Sequence, residues 1–367
     1  MKFVISRSEL SDLIKKIQNV VPQNPPMPIL SHFLVEADGD ELVFTASDLT
    51  VGASCRVKAK VLERGALSIP SKRFCQLIRE LTDTQIEVFS DESTMVEIQA
   101  GSSIFRLHGM DKEGYPALPD LNEAIRFSVE SSVLKECLYR TCFAVAKDDS
   151  RYALTGILMR IEPEKATFVG TDGKRLAKTE MPLSTTSEAT GDYVLPLKAV
   201  DEIMKILGEE ETATVYLTED KVGVESGSSL LITKLIADDY PDFTQIANSN
   251  SEVEVSLHRE ELMTLLRQIS LFADEEARSV RFSFTPGELI LTANTAEVGE
   301  GTVSMPINFS SESIEIAFNP HYFQDILRHT RDETLQIGIS DPFSPGVLTD
   351  STDSLFILMP MRLNHDA

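Results

Sequence analysis

The chain has 367 residues, of which 42% are hydrophobic and 25% charged, and its formal net charge is −24 at pH 7. The length predicts two or three domains, and the composition excludes disordered and fibrous proteins. No run reaches the ~20 apolar residues of a membrane span, and the N-terminal segment lacks the apolar core of a secretory signal, so a cytoplasmic protein is expected.

The first predicted helix occurs three times along the chain. Its apolar residues, spaced at i, i+3, i+4 and i+7, occupy residues 10–17, start again at Leu134 and return at residues 262–269. Serines stand near the start of each pattern and are predicted to cap the helices: Ser8, Ser132 and Ser256.

A second predicted helix also recurs, and each copy contains a proline near its start, which suits a first helical turn. The copies read IPSKRFCQLIREL, LPLKAVDEIMKIL and FNPHYFQDILRHT. Strand-like segments recur between the two helices and end at Asp48, Asp172 and Thr295. Duplication of one unit is the simplest explanation.

These repeats predict an α+β fold of three tandem domains, each about 122 residues long, with antiparallel strands. We expect the domains to span residues 1–122, 123–250 and 251–367. Two amphipathic helices cover only one face of a sheet. Open sheet edges tend to aggregate, and pairing the edges of neighbouring domains with each other prevents this. An arc of three domains with an open edge at each end is therefore expected to close into a ring with a second copy, head to tail.

The size of one domain predicts the size of the hole in such a ring. Six compact domains of roughly 35 Å diameter would leave a hole of about 35 Å, whereas four would leave about 14 Å. A DNA duplex on the order of 20 Å wide passes through the first hole and not the second. The estimate therefore favours a ring of six.

Positive charge is concentrated in the predicted helices. Windows at residues 6–20, 69–82, 130–147, 195–207, 257–273 and 319–332 hold 15 Lys and Arg against 11 Asp and Glu, so the remaining chain carries −28. Although an acidic protein is an unusual DNA binder, helices that line a hole would present a weakly basic surface to a duplex. Solvated helix faces are the alternative interpretation of each residue. The candidates for phosphate contacts are Lys15, Lys72, Arg73, Arg79, Lys147, Lys198 and Lys205.

An enzyme is the competing class of protein, and the residues that best support this class are acidic. The carboxylates that suit Mg²⁺ are Asp148, Asp149, Asp172, Asp238 and Asp239. Adjacent carboxylates in loops are also typical of solvated turns. The segment GTDGKR lacks the GxxxxGK[ST] frame, and neither HExxH nor GxSxG is present. Four scattered cysteines without CxxC spacing predict free thiols. We expect no metal, no cofactor and no catalysis; a peptide-binding scaffold unrelated to DNA is the third class.

Four segments on this threefold repeat carry a resemblance to a known family. They are FAVAKDDSRYALTGI at residues 143–157, GTDGKRLA at 170–177, DDYPDF at 238–243 and LMPMRL at 358–363. In this order they resemble the bacterial DNA polymerase III beta subunits, the beta sliding clamps. The resemblance implies a ring-shaped head-to-tail homodimer with helices lining the hole and sheets outside. Such a ring encircles double-stranded DNA and holds a polymerase on it for processive replication, without catalysis of its own.

The resemblance also implies a groove that receives short linear peptides. Its partners would be the DNA polymerase III alpha subunit, the clamp loader, and other polymerases and repair proteins. Apolar side chains would form the trough, and Met surfaces adapt to several partners. By itself, LMPMRL also fits a terminal strand. The implied groove residues are Leu154, Thr171, Gly173, Lys174, Arg175, Leu176, Pro241, Gln245, Ile246, Pro345, Leu358, Met359, Pro360, Met361, Arg362 and Leu363.

The same resemblance implies residues for dimerisation and for DNA contact. Phe105 in the first repeat would meet Leu271 and Phe272 in the third repeat of a second copy, although these two residues fit a hydrophobic core as well. Asn24 and Tyr152 would join the helix cations Arg73 and Lys198 near DNA. Lys174 and Pro345 stand where the family often has histidine and serine, and Gln245 stands where some members have arginine.

Overall fold

The computed structural model describes residues 1–91, 94–185, 189–208, 211–248, 251–273, 279–295 and 297–362. In the first repeat the elements are β1 Lys2–Ser6, α1 Arg7–Ile17, β2 His32–Asp38, β3 Glu41–Ser47, β4 Val51–Lys58, β5 Lys60–Glu63, β6 Gly65–Pro70, α2 Ser71–Glu80, β7 Gln85–Ser90, β8 Met95–Ala100 and β9 Ser103–His108.

The second and third repeats follow the same order. The second contains β10 Ile125–Glu130, α3 Ser131–Cys142, β11 Gly156–Ile161, β12 Lys165–Thr171, β13 Arg175–Pro182, β14 Gly191–Pro196, α4 Leu197–Ile206, β15 Thr212–Leu217, β16 Lys221–Ser226, β17 Ser229–Lys234 and a short α5 Thr244–Ala247. The third contains β18 Val253–His258, α6 Arg259–Ile269, β19 Val280–Thr285, β20 Glu288–Thr295, β21 Gly299–Pro306, β22 Ile314–Phe318, α7 Pro320–His329, β23 Thr334–Ile339, β24 Gly346–Thr349 and β25 Ser354–Leu358. The predicted threefold repeat of helix, strands, helix, strands is confirmed.

The predicted helix caps are wrong by a few residues. The N-cap of α1 is Ser6, whose hydroxyl accepts from the Glu9 amide at 3.2 Å, whereas Ser8 lies inside the helix. Likewise Ser132 lies inside α3, and Ser256 lies in β18, where His258 caps α6. The reason is that each strand runs directly into its helix, so the cap is the last extended residue and not a serine in a separate loop.

Contacts divide the chain into two compact units that do not follow the repeats. The first unit is Met1–Lys135 with Ser184–Ile236, and the second is Glu136–Leu183 with Ala237–Ala367. In each unit the strands of two repeats form one continuous sheet, because β4 pairs with β17 in the first unit and β13 pairs with β25 in the second. Repeats are thus joined through sheet edges, as the open-edge argument predicts.

The first unit holds two antiparallel sheets. Their strand orders are β5-β1-β7-β8-β9 and β10-β15-β16-β17-β4-β3-β2-β6. Helix α1 packs against both α2 and α4, and its apolar stripe from Leu10 to Ile17 is buried as the periodicity predicts. The Phe44 ring stacks on Phe74 of α2, with ring centroids 6.2 Å apart, so the helix layer is fixed to the sheet by aromatic packing.

The second unit repeats this design with different strands. One sheet runs β11-β12-β13-β25-β24-β23-β18, and another runs β21-β20-β19-β22. Helices α6 and α7 pack together over a core in which Phe282 stacks on Phe323 with centroids 5.3 Å apart. None of the four cysteines forms a disulfide in the part of the chain that the structure describes. No helix in the described ranges is long and apolar enough to cross a membrane.

Candidate functional site

The turn between β12 and β13 is a rigid platform built by a threonine and an aspartate. The Thr171 hydroxyl donates to the Arg175 carbonyl at 2.6 Å and accepts from the Gly173 amide at 3.1 Å. One Asp172 oxygen accepts from the amides of Lys174 and Arg175 at 2.9 and 3.0 Å. Gly173 has φ +80, a conformation that glycine adopts readily. The backbone of this turn is therefore fixed.

Arg175 leaves this turn and is the centre of a charged and aromatic cluster. Its side chain is 9% exposed and donates to Asp172 at 3.1 Å, to Asp325 at 2.6 Å and to the Phe143 carbonyl at 2.7 Å. The guanidinium also lies 4.5 Å from the centroid of the Tyr322 ring. A buried guanidinium needs such partners because an unpaired buried charge is costly. Asp325 and Tyr322 are not singled out by any sequence motif.

His329 lies beside the same cluster. Its ring stacks on Phe143, with centroids 4.3 Å apart, and lies 4.5 Å from Tyr139. Burial lowers the pKa of the His329 imidazole, and hydrogen bonding to the Asp325 carbonyl opposes this shift only in part. The aromatic stack therefore holds a neutral ring in this compact unit near pH 7.

Sheet register brings the predicted groove residues together at the end of β25. Leu358, the last residue of β25, pairs with Arg175 on β13 and with Gly346 on β24. The chain then continues through Met359, whose amide donates to the Lys174 carbonyl at 2.9 Å, to Met361, whose amide donates to the Ala317 carbonyl at 2.7 Å. The segment LMPMRL is thus a strand end followed by an irregular crossing.

Helix α5 completes this surface because it packs against β25. It follows the buried Phe243, and the Tyr240 hydroxyl donates to the Val169 carbonyl at 3.1 Å, so DDYPDF is anchored to β12. Burial raises the pKa of the Tyr240 phenol, which stays protonated as a donor. The anchored segment leaves Pro241 and Ile246 exposed.

The structure divides the expected trough into a floor and an accessible part. Leu154, Leu176 and Leu358 are 1%, 5% and 0% exposed, so within the expected apolar trough they belong to the floor. They lie beneath the surface because they face the sheet core. The residues that reach solvent are Gly173, Lys174, Pro241, Gln245, Ile246, Pro345, Met359, Pro360, Met361 and Arg362. Leu363 lies outside the described residues.

The residues expected at a dimer interface lie on two different elements. Phe105 is on β9, which is an edge strand, and the adjacent residue Ile104 is 53% exposed. Ile104 and Phe105 both line a cavity of about 520 Å³ beside α2. Leu271 is 73% exposed on the single turn of helix, Ser270–Phe272, that follows α6. Phe272 is half-buried and packs against the core of the third repeat. Phe272 therefore fits the interpretation as a core residue, whereas Leu271 does not.

The residues expected near DNA are all at the surface. Tyr152 is 67% exposed at the start of a short turn of helix. The exposed positions are Lys15, Asn24, Lys72, Arg73, Arg79, Lys147, Tyr152, Lys198 and Lys205. Among the residues that the structure describes, three of these cations form ion pairs: Lys15 with Asp12, Lys198 with Asp48, and Lys205 with Glu202.

Two of the carboxylates considered for an enzyme, Asp149 and Asp172, have local partners. Asp149 accepts from the Arg151 amide at 2.8 Å and from its guanidinium at 2.9 Å, and these bonds lower the pKa of the carboxyl to about 2. Asp172 holds the β12–β13 turn and pairs with Arg175. Within the described ranges, no three His, Cys, Asp or Glu side chains form a cluster suited to a metal ion.

Comparison with protein families covers nearly the whole chain. Models of the DNA polymerase III beta subunit match in three consecutive stretches: the N-terminal domain at residues 1–119, the central domain at 128–242 and the C-terminal domain at 245–362. The chain is 54% identical to the beta sliding clamp of Chlamydia muridarum over 366 residues, covering 100% of both chains. It is 29% identical to that of Haemophilus influenzae, covering 99% of this chain and 100% of the relative.

Solved structures give the same similarity. A sliding clamp from Pseudomonas aeruginosa, bound to griselimycin, matches with a TM-score of 0.94 at 26% identity, covering 99% of this chain and 100% of the other. The DNA polymerase III beta subunit from Thermotoga maritima matches with a TM-score of 0.92 at 25% identity, covering 99% of each chain.

Proposed function

This chain belongs to the DNA polymerase III beta subunit family, and we propose that it works as a sliding clamp, a homodimeric ring that encircles double-stranded DNA and tethers the replicative polymerase. The observation that carries this proposal is the edge-to-edge joining of repeats, at β4 with β17 and at β13 with β25. Repeats joined in this way leave edges at the ends of the chain that a second copy can pair with.

We place the dimer contact at β9 of one copy and the third repeat of the other. Edge strand β9 offers unpaired backbone groups and the exposed side chains of Ile104 and Phe105. In the third repeat β21 is an edge strand too, and the turn Ser270–Phe272, which carries the exposed Leu271, packs against it. Pairing β9 with β21 would join two sheets, and Leu271 would fill the apolar cavity beside α2. A heterologous contact of this kind closes into a ring when it is made twice.

We propose that partners dock through the surface at the end of β25. Its apolar groups, the exposed Pro241 and Ile246 and the half-buried Met361, suit the apolar anchors of a short linear peptide. Rigid supports surround them, because Arg175 and Asp172 fix the β12–β13 turn. The partners we assign by family are the DNA polymerase III alpha subunit, the clamp loader, and other polymerases and repair proteins. The griselimycin complex of the Pseudomonas aeruginosa clamp supports a ligand-binding surface on this fold.

We also propose that the domains span residues 1–122, 123–250 and 251–367, that the protein acts in the cytoplasm, and that it needs neither a cofactor nor a metal. It contributes processivity and no chemistry, which fits the engagement of two of the five candidate carboxylates, Asp149 and Asp172, with Arg151 and Arg175.

Retention on circular DNA tests the encircling mechanism. The protein is loaded onto nicked circular duplex by a clamp loader, and its retention in moderate salt is compared with that on the same DNA after linearisation. A ring held by topology stays on the circle and slides off the linear form, because escape from the circle requires an interface to open. Ordinary phosphate binding predicts equal loss from both templates, since both expose the same phosphates to the same salt. Equal loss, with the dimer intact by light scattering, overturns the proposal.

A further inference from the structure

The second helix of each repeat carries a cation at the same place in its last turn. Alignment of α2, α4 and α7 on their starting residues puts Arg79, Lys205 and Arg328 in register. The residue three positions earlier, one helical turn away on the same face, differs between repeats: it is Gln76 in α2, Glu202 in α4 and Asp325 in α7.

In the second and third repeats this earlier residue neutralises the cation. The Lys205 ammonium lies 2.6 Å from the Glu202 carboxylate, whose side chain is only 4% exposed. The Arg328 guanidinium lies 2.7 Å from Asp325. These short contacts place opposite charges in direct hydrogen-bonding range.

The other cation of α4 is neutralised as well. Lys198 lies 2.5 Å from Asp48, and it also donates to the Val20 carbonyl at 3.2 Å. Asp48 is held in place because its other oxygen accepts from the amides of Thr50 and Val51. A phosphate that approached Lys198 would therefore have to displace a fixed carboxylate.

In the first repeat the corresponding cations meet neutral groups. Arg73 donates to the Gln76 amide oxygen at 3.2 Å, and Arg79 donates to the amide oxygen of Gln18. Lys72, the counterpart of Lys198, is exposed. In the part of the chain that the structure describes, no carboxylate lies within 4.0 Å of the charged nitrogens of these three residues. Helix α2 of the first repeat thus keeps its three positive charges available.

We infer that the three repeats share contact with DNA unequally, and that α2 of the first repeat, through Lys72, Arg73 and Arg79, provides the main grip on the phosphate backbone. The inference rests on the proposed clamp function. An ion pair presents a field close to that of a dipole, which fades over a few ångströms, whereas a free cation keeps its full charge for a phosphate. Helices α4 and α7 then form a lining on which DNA slides with little electrostatic retention.

Exchange of one carboxamide and one carboxylate tests this without changing net charge. In the double variant Gln76→Glu with Glu202→Gln, Arg79 gains an acidic neighbour and Lys205 loses one. Cation removal, Arg79→Gln or Lys205→Gln, is then measured in both backgrounds. The readout is equilibrium affinity for short linear duplex as a function of salt, by fluorescence anisotropy. Each lost phosphate contact lowers the steepness of the salt dependence by about 0.9.

The expected result is a reversal. In the natural background, Arg79→Gln lowers affinity and salt steepness more than Lys205→Gln does; in the exchanged background, Lys205→Gln has the larger effect. Asp220→Asn is the matched control: it frees Lys221, 2.6 Å away on a strand and not on a helix, and we expect it to leave DNA affinity unchanged. Light scattering checks that each variant remains a dimer.

Two outcomes overturn the inference. One is an equal effect of Arg79→Gln and Lys205→Gln in both backgrounds, and the other is unchanged affinity after Gln76→Glu alone, a substitution at an exposed position that does not threaten folding. Failure of the proposed function would look different, because the natural protein would then not be retained on circular DNA at all. If the protein is retained on circular DNA but Arg79→Gln and Lys205→Gln have equal effects, the inference of unequal DNA contact is rejected while the proposed clamp function stands.

Discussion

At the scale of single residues, the most demanding feature is the buried ion cluster of Arg140. Its side chain is 1% exposed and donates to Glu136 at 2.6 Å, to the fully buried Asp350 carboxylate at 2.8 Å and to Thr352 at 2.9 Å. Removing one partner of a buried pair costs about 3–5 kcal/mol, because the other charge stays desolvated. This cluster ties α3 to the turn that precedes β25.

Replacing Asp350 with asparagine should therefore destabilise the second compact unit by about 3 kcal/mol near pH 7. Burial alone would raise the pKa of the Asp350 carboxyl, but hydrogen bonds from Thr352 and Arg140 outweigh it, and the pKa lies below its usual value. A depressed pKa contributes stability above the unfolded-state pKa of about 3.9, and this contribution is lost as pH falls through the folded-state value.

The stability difference between the Asp350→Asn variant and the natural protein should accordingly shrink in acid. Urea unfolding followed by hydrogen exchange in α3 measures it at several pH values. Asp353→Asn, the same charge change at an exposed position of the same turn, is the control and should have little effect. A difference that stays constant down to pH 2 would show that Asp350 is not the titrating group.

At the scale of elements, single segments carry the proposed contacts. The crossing Met359–Met361 is fixed at two backbone points, to Lys174 and to Ala317, so it forms a surface without being part of a core strand. The turn Ser270–Phe272 is fixed through Phe272 and leaves Leu271 in solvent. Each segment can be altered while the sheet that supports it stays paired.

Removal of residues 359–363 should abolish binding of polymerase-derived linear peptides, since it deletes the apolar groups that follow β25. Dimerisation should persist, because β9, β21 and Leu271 are untouched. Surface plasmon resonance with an immobilised peptide gives the first result and light scattering the second. Peptide binding that survives in a dimeric protein would move the site away from this surface.

Replacing Leu271 and Phe272 together with alanine should weaken the dimer by about 2–4 kcal/mol, because buried apolar anchors carry most of an interface's energy. Phe272 also packs against its own core, so the single variant Leu271→Ala separates the interface effect from loss of internal packing. Analytical ultracentrifugation measures the dimer dissociation constant. Unchanged dissociation for both variants would place the interface on another surface.

At the scale of the whole molecule, the question is how a chain with a net charge of −24 holds DNA. A ring needs only weak direct contacts, because topology prevents escape. Weak contacts also fit the ion pairs that two of the candidate DNA-contact cations form, Lys198 with Asp48 and Lys205 with Glu202. The acidic remainder of the surface then repels DNA that is not threaded through the hole.

Charge reversal at Arg73 and Lys198 should consequently weaken affinity for linear duplex and slow loading, because it removes the free charge of Arg73 and leaves Asp48 beside a second acidic group in place of Lys198. The lifetime of rings already loaded on closed circles should scarcely change, because that lifetime depends on interface opening. Single-molecule fluorescence on circular DNA measures the lifetime. A large drop in lifetime with an unweakened dimer would mean that phosphate contacts, and not topology, retain the protein.

The sequence by itself determined the threefold repeat and its helices. The apolar stripe from Leu10 to Ile17 is buried along α1, because helical periodicity is a local property that the chain encodes within a few turns. The strands ending near Asp48 and Asp172 were predictable for the same reason. The basic character of the helices is likewise readable from residue positions.

Tertiary structure decided the features that depend on residues distant in the chain. Pairing of β13 with β25 brings Arg175 to Leu358, across more than half of the second compact unit's sequence span, and no local pattern encodes that register. The burial of Leu154, Leu176 and Leu358 and the role of Asp325 follow from that pairing. The same holds for charge pairing. The cations on each helix can be counted from the sequence, but whether Glu202 or Asp48 neutralises one of them depends on side-chain geometry that only the folded chain fixes.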